Sequence, residues 1–236
     1  MVDKKTNTPR SLVVHVKTAK GRKISSTRWL QRQLNDPYVQ LAKQEGYRSR
    51  AAYKLKEIDE KYKLFSKGQV VIDLGAAPGG WSQVTSQKIL SGTPWGGKIL
   101  AIDLLAIEPL PNIKTLQQNF LSLDENDILD WLDGQKVDVV LSDMAASASG
   151  HTLTDHLLIM QLCEDAFSFA QEHLKEGGAF VAKILQGGTE NELLKLLKTH
   201  FSKVKHFKPK SSRSESAEMY VVCLGYRIST GKKNES

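Results

Sequence analysis

At 236 residues, with 40% hydrophobic and 25% charged residues, the chain has the composition of a globular domain and enough length to bury a core without disulfide or metal staples. No apolar run is long enough to span a bilayer and the run at 11–16 is too short for a signal-peptide core, so an unexported, cytoplasmic protein with no membrane partner is expected. The net charge of +7 is uneven: residues 1–56 hold 14 Lys and Arg against three acids, leaving residues 57–236 at −4. A basic front of this kind implies a polyanionic partner, nucleic acid before others, because Lys and Arg displace condensed counterions from phosphates.

Residues 1–24 are basic and carry no pattern of a stable element; they read as a disordered arm, as residues 229–236 read as a tail. Between them, 25–228 form one domain whose first part, 25–66, is a set of basic helices. Ser26 or Thr27 is the expected cap of the first helix, and Asp36-Pro37 starts a second that stops at Gly46. A third spans 49–62, with Ala52, Leu55 and Ile58 on its apolar face. From Gly68 onward, apolar strands at 70–74, 98–103, 113–117, 137–142 and 178–185 alternate with helices at 80–90, 125–132, 155–174 and 190–201. That alternation predicts an α/β fold, a mostly parallel sheet with helices on both faces. The last two strands, 204–207 and 218–225, are joined by about ten residues without helical periodicity, too few for a parallel crossover, so an antiparallel hairpin ends a seven-stranded sheet. Cys163 and Cys223 fall in a helix and a strand and read as buried, reduced thiols.

The first strand runs into Asp73-Leu74-Gly75-Ala76-Ala77-Pro78-Gly79-Gly80-Trp81-Ser82, a strand-to-helix turn where glycine lets the backbone bend sharply and approach a ligand. Ala76 and Pro78 depart from the Gly-x-Gly-x-x-Gly of pyrophosphate-binding turns. Asp103 ends the second strand, 28 positions after Gly75, where a carboxylate can accept from both hydroxyls of an adenosine ribose. Asn119 follows the third strand, placed to read an adenine amino group or to cap a turn. These features define an adenosine-type cofactor site and leave nucleotide and S-adenosylmethionine as alternatives.

Residues 73–83, together with Ser142-Asp143-Met144-Ala145, Val181-Ala182-Lys183 and Glu218-Met219-Tyr220, resemble the FtsJ family of RNA 2′-O-methyltransferases over roughly 26–225. The resemblance implies a Rossmann-like S-adenosylmethionine-dependent methyltransferase fold. It implies cofactor contacts from Asp73, Gly75, Pro78, Gly79, Trp81, Asp103, Asn119 and Asp143, and a catalytic set of Lys54, Asp143, Lys183 and Glu218. Its basic helix puts Arg48, Arg50 and Lys54 against RNA. The substrate implied is a uridine ribose of large-subunit ribosomal RNA, in the A loop of the peptidyl-transferase centre, acted on by a monomer.

Three of the four catalytic candidates converge on topology alone. Asp143 ends the fourth strand and Lys183 lies toward the end of the fifth, both at the carboxyl edge where open α/β sheets bind ligands. Glu218 starts an antiparallel strand at that same edge; the placement of Lys54 rests on the resemblance. In the reading these residues support, Lys183 takes the proton of the attacking hydroxyl, Asp143 orients Lys183 and the methionine end of the cofactor, and Glu218 steadies a lysine or the ribose. His151 and His156 have no third ligand at suitable spacing, and no metal is assigned.

Ala145-Ala146-Ser147 stands where the family usually has Ala-Pro-Asn, Asn119 stands where Asp is common, and the loop 91–97 and the arm before Ser26 are longer than the family pattern. A transfer RNA or messenger-cap 2′-O-methyltransferase shares the same four residues, and a non-catalytic ribosome-assembly factor could share the fold. Base methylation fits poorly, since there is no Asn/Asp-Pro-Pro-aromatic motif and neither cysteine follows a proline.

Overall fold

The computed structural model describes residues 24–146, 150–186 and 190–228. The arm 1–23, the tail 229–236 and Ser147 of the altered loop lie outside the described residues.

Three helices precede the sheet. Helix α1 (Ile24–Leu34) begins before the expected caps Ser26 and Thr27, which lie within it. Helix α2 (Pro37–Glu45) is capped as expected: the Asp36 carboxylate accepts from the Tyr38 N–H, and Gly46 closes the helix at φ +77. Helix α3 (Ala51–Tyr62) buries Ala52, Leu55 and Ile58 completely, so its apolar stripe is its packing face.

The alternating part follows as β1 (Val70–Leu74), α4 (Gly80–Ile89), β2 (Lys98–Asp103), β3 (Lys114–Gln117), α5 (Glu125–Leu132), β4 (Val137–Ser142), α6 (Thr152–His173), β5 (Leu174–Leu185), α7 (Glu190–His200), β6 (Phe201–Phe207) and β7 (Glu218–Tyr226). One seven-stranded sheet has the order β3-β2-β1-β4-β5-β7-β6, parallel except for β7, which runs against both neighbours. The expected terminal hairpin is therefore present, with β7 inserted between β5 and β6. One expectation needs correction. Helix α6 starts at Thr152 and passes directly into β5 at Leu174, ahead of the expected strand start at 178, so Gly177 and Gly178 lie inside the strand. A register shift between Val137 and Val139 opposite Leu174 and Ala179 absorbs the extra residues, and Gly177 takes φ +80 there.

Helices cover both faces. Ile72, Leu74, Val140 and Phe180 join the cluster reached by α5, α6 and α7, while Val71, Val139, Val181, Tyr220 and Val222 join the one reached by α3 and α4. Side chains alternate along a strand, so Lys183 shares the α3 face with Val181, and Glu218 shares it with Tyr220 and Val222. The docking of α3 on that face thus brings Lys54 toward the sheet edge, which sequence periodicity alone did not reveal.

Candidate active site

The site lies at the carboxyl edge around β1, whose neighbours β2 and β4 diverge in the chain order, the place where open sheets leave a ligand crevice. The glycine turn after β1 is held by Gly75 and Ala76 N–H groups donating to the Ile102 carbonyl at 2.9 and 3.2 Å. Gly75 sits at φ +71, and a Cβ there would come within 3.0 Å of Met144 Cα and collide with the Met144 side chain. Gly75→Ala is therefore expected to destabilise the fold by about 1–3 kcal/mol, read from chemical denaturation, since both backbone and neighbour oppose it.

A cavity of about 400 Å³ opens beside this turn, lined among others by Gly75, Asp103, Leu104, Asn119, Asp143 and Met144. The Asp103 carboxylate accepts from the Ala77 N–H at 2.8 Å and the Leu105 N–H at 2.8 Å, which fixes it between two loops at the cavity wall. Asn119 Oδ1 accepts from the Leu121 N–H at 3.1 Å, so this side chain caps a short 3-10 turn while facing the cavity. Asp73 is fully buried beneath the turn; its Oδ2 accepts from the Ser82 hydroxyl at 2.6 Å and its Oδ1 has no partner. Burial pushes its carboxyl up to about 7, against the Ser82 hydrogen bond and with the help of Asp143 and Asp103.

Two residues expected at ligands do other work. Trp81 is buried, its indole N–H donates to the Ala51 carbonyl at 2.8 Å and its ring lies 5.5 Å from that of Tyr220, so it ties α4 to α3 and does not line the cavity. Arg48, expected on RNA, spends its guanidinium on three carbonyls: Pro78 at 3.2 Å, Glu108 at 2.6 Å and Pro109 at 2.9 Å. It thereby joins the glycine turn, next to Gly79, to the loop that follows β2. The Ala77–Pro78 peptide that precedes the Pro78 carbonyl is cis.

Next to the cavity, Lys54, Asp143, Lys183 and Glu218 form one cluster. Lys183 Nζ donates to the Asp143 backbone carbonyl at 2.8 Å and lies 3.3 Å from Asp143 Oδ1 and 3.9 Å from Glu218 Oε1. Lys54 Nζ lies 3.2 Å from Glu218 Oε2. Both lysines are buried, with side-chain exposures of 10% for Lys54 and 5% for Lys183. Burial would raise the Asp143 carboxyl, but the ammoniums of Lys183 and Lys54 and the Tyr220 hydroxyl hold it below the usual carboxylate range.

Tyr220 completes the cluster, a role that its place in the sequence motif did not disclose. Its hydroxyl donates to Asp143 Oδ1 at 2.7 Å, and Lys54 Nζ sits 5.7 Å from its ring centroid. The signal was present, because Tyr220 pairs directly with Lys183 across β5 and β7 and shares its face. Burial first, then the carboxylates of Asp143 and Glu218, drive the phenol well above its ordinary range, so it acts as a fixed hydrogen-bond donor.

A seven-stranded sheet of this order, with a cavity at the glycine turn and a lysine–carboxylate cluster beside it, is the arrangement of a Rossmann-like methyltransferase. The chain belongs to the FtsJ-like methyltransferase family, whose model matches residues 47–226. It is 54% identical over 228 residues to "Ribosomal RNA large subunit methyltransferase E" of Parvibaculum lavamentivorans, covering 94% of this chain and 90% of that one. A protein of the same description from Rickettsia bellii is 53% identical over 217 residues, 91% of this chain and 95% of the other. Among solved structures, a protein described as a ribosomal RNA methyltransferase of Plasmodium falciparum superposes with a TM-score of 0.67 at 32% identity, covering 76% of this chain and 98% of its own.

Proposed function

We propose that this protein transfers a methyl group from S-adenosylmethionine to a ribose 2′-hydroxyl of large-subunit ribosomal RNA, with a uridine of the A loop as the target the family resemblance indicates. The observation that carries the reading is the double position of Asp143, which lines the cofactor cavity and also holds Lys183. A hydroxyl brought to Lys183 lies beside the cavity that presents the methyl donor.

The residues present fit that cofactor. Asp103 offers a carboxylate for ribose hydroxyls and Asn119 an amide at the far wall, while buried Asp73 braces the turn through the Ser82 hydroxyl. Gly75 lets Met144 pack against the turn, at a place that a Cβ would take from it. When bound, the sulfonium supplies an electrophilic methyl carbon. Lys183, once it has released a proton to solvent, takes the hydroxyl proton as a neutral amine; Asp143, itself held by Tyr220, fixes the position of Lys183, and the Lys54–Glu218 pair closes the side of the site facing the helices. RNA approaches over Arg50 and Lys54.

The assignment is tested by offering labelled S-adenosylmethionine with large ribosomal subunits, naked ribosomal RNA, transfer RNA or capped RNA. Label on large-subunit RNA supports the reading; label confined to transfer RNA or a cap moves the substrate, and no transfer to any RNA leaves a non-catalytic role.

The hydrogen bonds of Arg48 give a separate expectation. Arg48→Ala should weaken cofactor binding on the order of tenfold, because a charged donor bonding several carbonyls contributes about 1.5–3 kcal/mol that the turn would lose. The salt dependence of RNA binding should stay that of the wild type. A flatter salt slope with unchanged cofactor affinity would return Arg48 to the RNA surface.

A further inference from the structure

A cleft of about 760 Å³ lies outside the catalytic cluster and is lined by Arg32, Asp36, Arg50, Lys208, Lys210 and Arg213 among others. It shares Arg32, Arg50, Arg213 and Glu215 with a second cleft of about 450 Å³ that ends on Lys54 and Glu218. A continuous path therefore leads from Lys54 and Glu218 outward. One wall comes from the basic helices α1 to α3. The other comes from the loop between β6 and β7, residues 208–217, a segment in which sequence periodicity predicted nothing.

That loop is built into place. The Glu57 carboxylate, on α3, accepts the N–H groups of Lys210 at 2.6 Å and Ser211 at 2.8 Å. The Arg50 guanidinium donates to the Ser211 carbonyl and pairs with Asp36, which also faces Arg213 Nε at 3.5 Å. Lys208 Nζ closes the loop on the Ser216 carbonyl at 2.8 Å. A loop ordered in advance loses little entropy when it binds.

Its charge runs against its surroundings. Residues 57–236 carry −4 overall, yet 201–217 contain Lys203, Lys205, Lys208, Lys210 and Arg213 against Glu215 alone. In the outer cleft five cations face two carboxylates, Asp36 and Glu215, and Asp36 is buried against Arg50 and Arg213. A merely solvated surface in an acidic part of the chain gives no reason for cations of two distant segments to converge on one path.

We propose that the 208–217 loop is the second wall of the RNA track. Lys208, Lys210 and Arg213 hold phosphates of the nucleotides flanking the one at Lys183, opposite Arg32 and Arg50. The inference rests on the RNA reading above and adds a binding surface to it.

The test uses the full chain with Lys208 and Lys210, both exposed, replaced by Ala, and a short fluorescein-labelled single-stranded RNA titrated over a range of salt. The double variant should bind on the order of tenfold more weakly, and its slope of log affinity against log salt should flatten by about 0.7 for each phosphate no longer neutralised. KM for ribosomal RNA should rise with kcat and cofactor affinity kept, while Lys195→Ala with Lys198→Ala on α7 should change none of these. A double variant with the wild-type salt slope and KM overturns the proposal. RNA binding is read without turnover, so a wild type that methylates nothing would defeat the functional reading and still leave the salt slopes to decide the loop.

Discussion

Lys183→Ala is expected to lower kcat for methyl transfer by about two to four orders of magnitude, the span of a lost general base, and to leave cofactor affinity unchanged. The separation follows from geometry. Lys183 contacts the Asp143 carbonyl and carboxylate and faces Glu218, but it does not line the cofactor cavity. Lys183→Arg sharpens the result: guanidinium keeps the positive charge beside Asp143 and cannot give up its proton at any accessible pH, so it should also be inactive. Single-turnover rates with saturating cofactor, alongside calorimetric cofactor binding, measure both quantities. An arginine variant with near wild-type turnover would show that charge at this position suffices and that the hydroxyl proton leaves by another route.

Asp143→Asn is expected to affect stability and activity together. The substitution keeps the shape and an oxygen for the Tyr220 hydroxyl, yet removes the negative charge that faces the Lys183 ammonium at 3.3 Å. Breaking a fully buried ion pair costs about 3–5 kcal/mol; here Glu218 stays as a partner and Asp143 keeps 17% exposure, so about 2 kcal/mol is expected. The pH dependence has a definite sign. The folded-state pKa of Asp143 is depressed, so its contribution is complete above the unfolded carboxylate value of about 3.9 and disappears as pH falls through the lower folded value. Urea denaturation of wild type and Asn variant should therefore differ at neutral pH and converge in strong acid. Methyl transfer should fall by at least about tenfold, since Lys183 loses the group that orients it. A variant as stable as wild type at pH 7 would mean that the two lysines do not depend on Asp143.

Much of this site was legible in the sequence because a strand's end and its alternation are local properties. Asp103 and Asp143 close short apolar runs, Lys183 lies near the end of one, and Glu218 opens one, so their common edge follows once the strands are assigned parallel or antiparallel. Lys54 was not legible in that way. Its position depends on how the Ala52, Leu55 and Ile58 stripe of α3 docks on the sheet, a tertiary event that one helix does not encode. The carbonyl contacts of Arg48 were not legible either, because a guanidinium serves backbone carbonyls 30 to 61 residues away in the chain as well as it serves phosphate. Trp81 follows the glycine turn directly, and the helical rotation after Gly80 carries its ring into the core, an orientation that the motif itself does not encode. The β6–β7 loop lacks any period, and its fold depends on Glu57, more than 150 residues earlier.

The most direct measurement is the chemical identity of the methylated nucleoside. Large ribosomal subunits treated with the protein and isotopically labelled S-adenosylmethionine would be digested to nucleosides and resolved by mass spectrometry. Label in a 2′-O-methyluridine, seen as mass on the ribose and as a bond resistant to alkaline cleavage in the intact strand, is the predicted result; label on a base, or none on RNA while the protein binds the cofactor, would contradict the assignment.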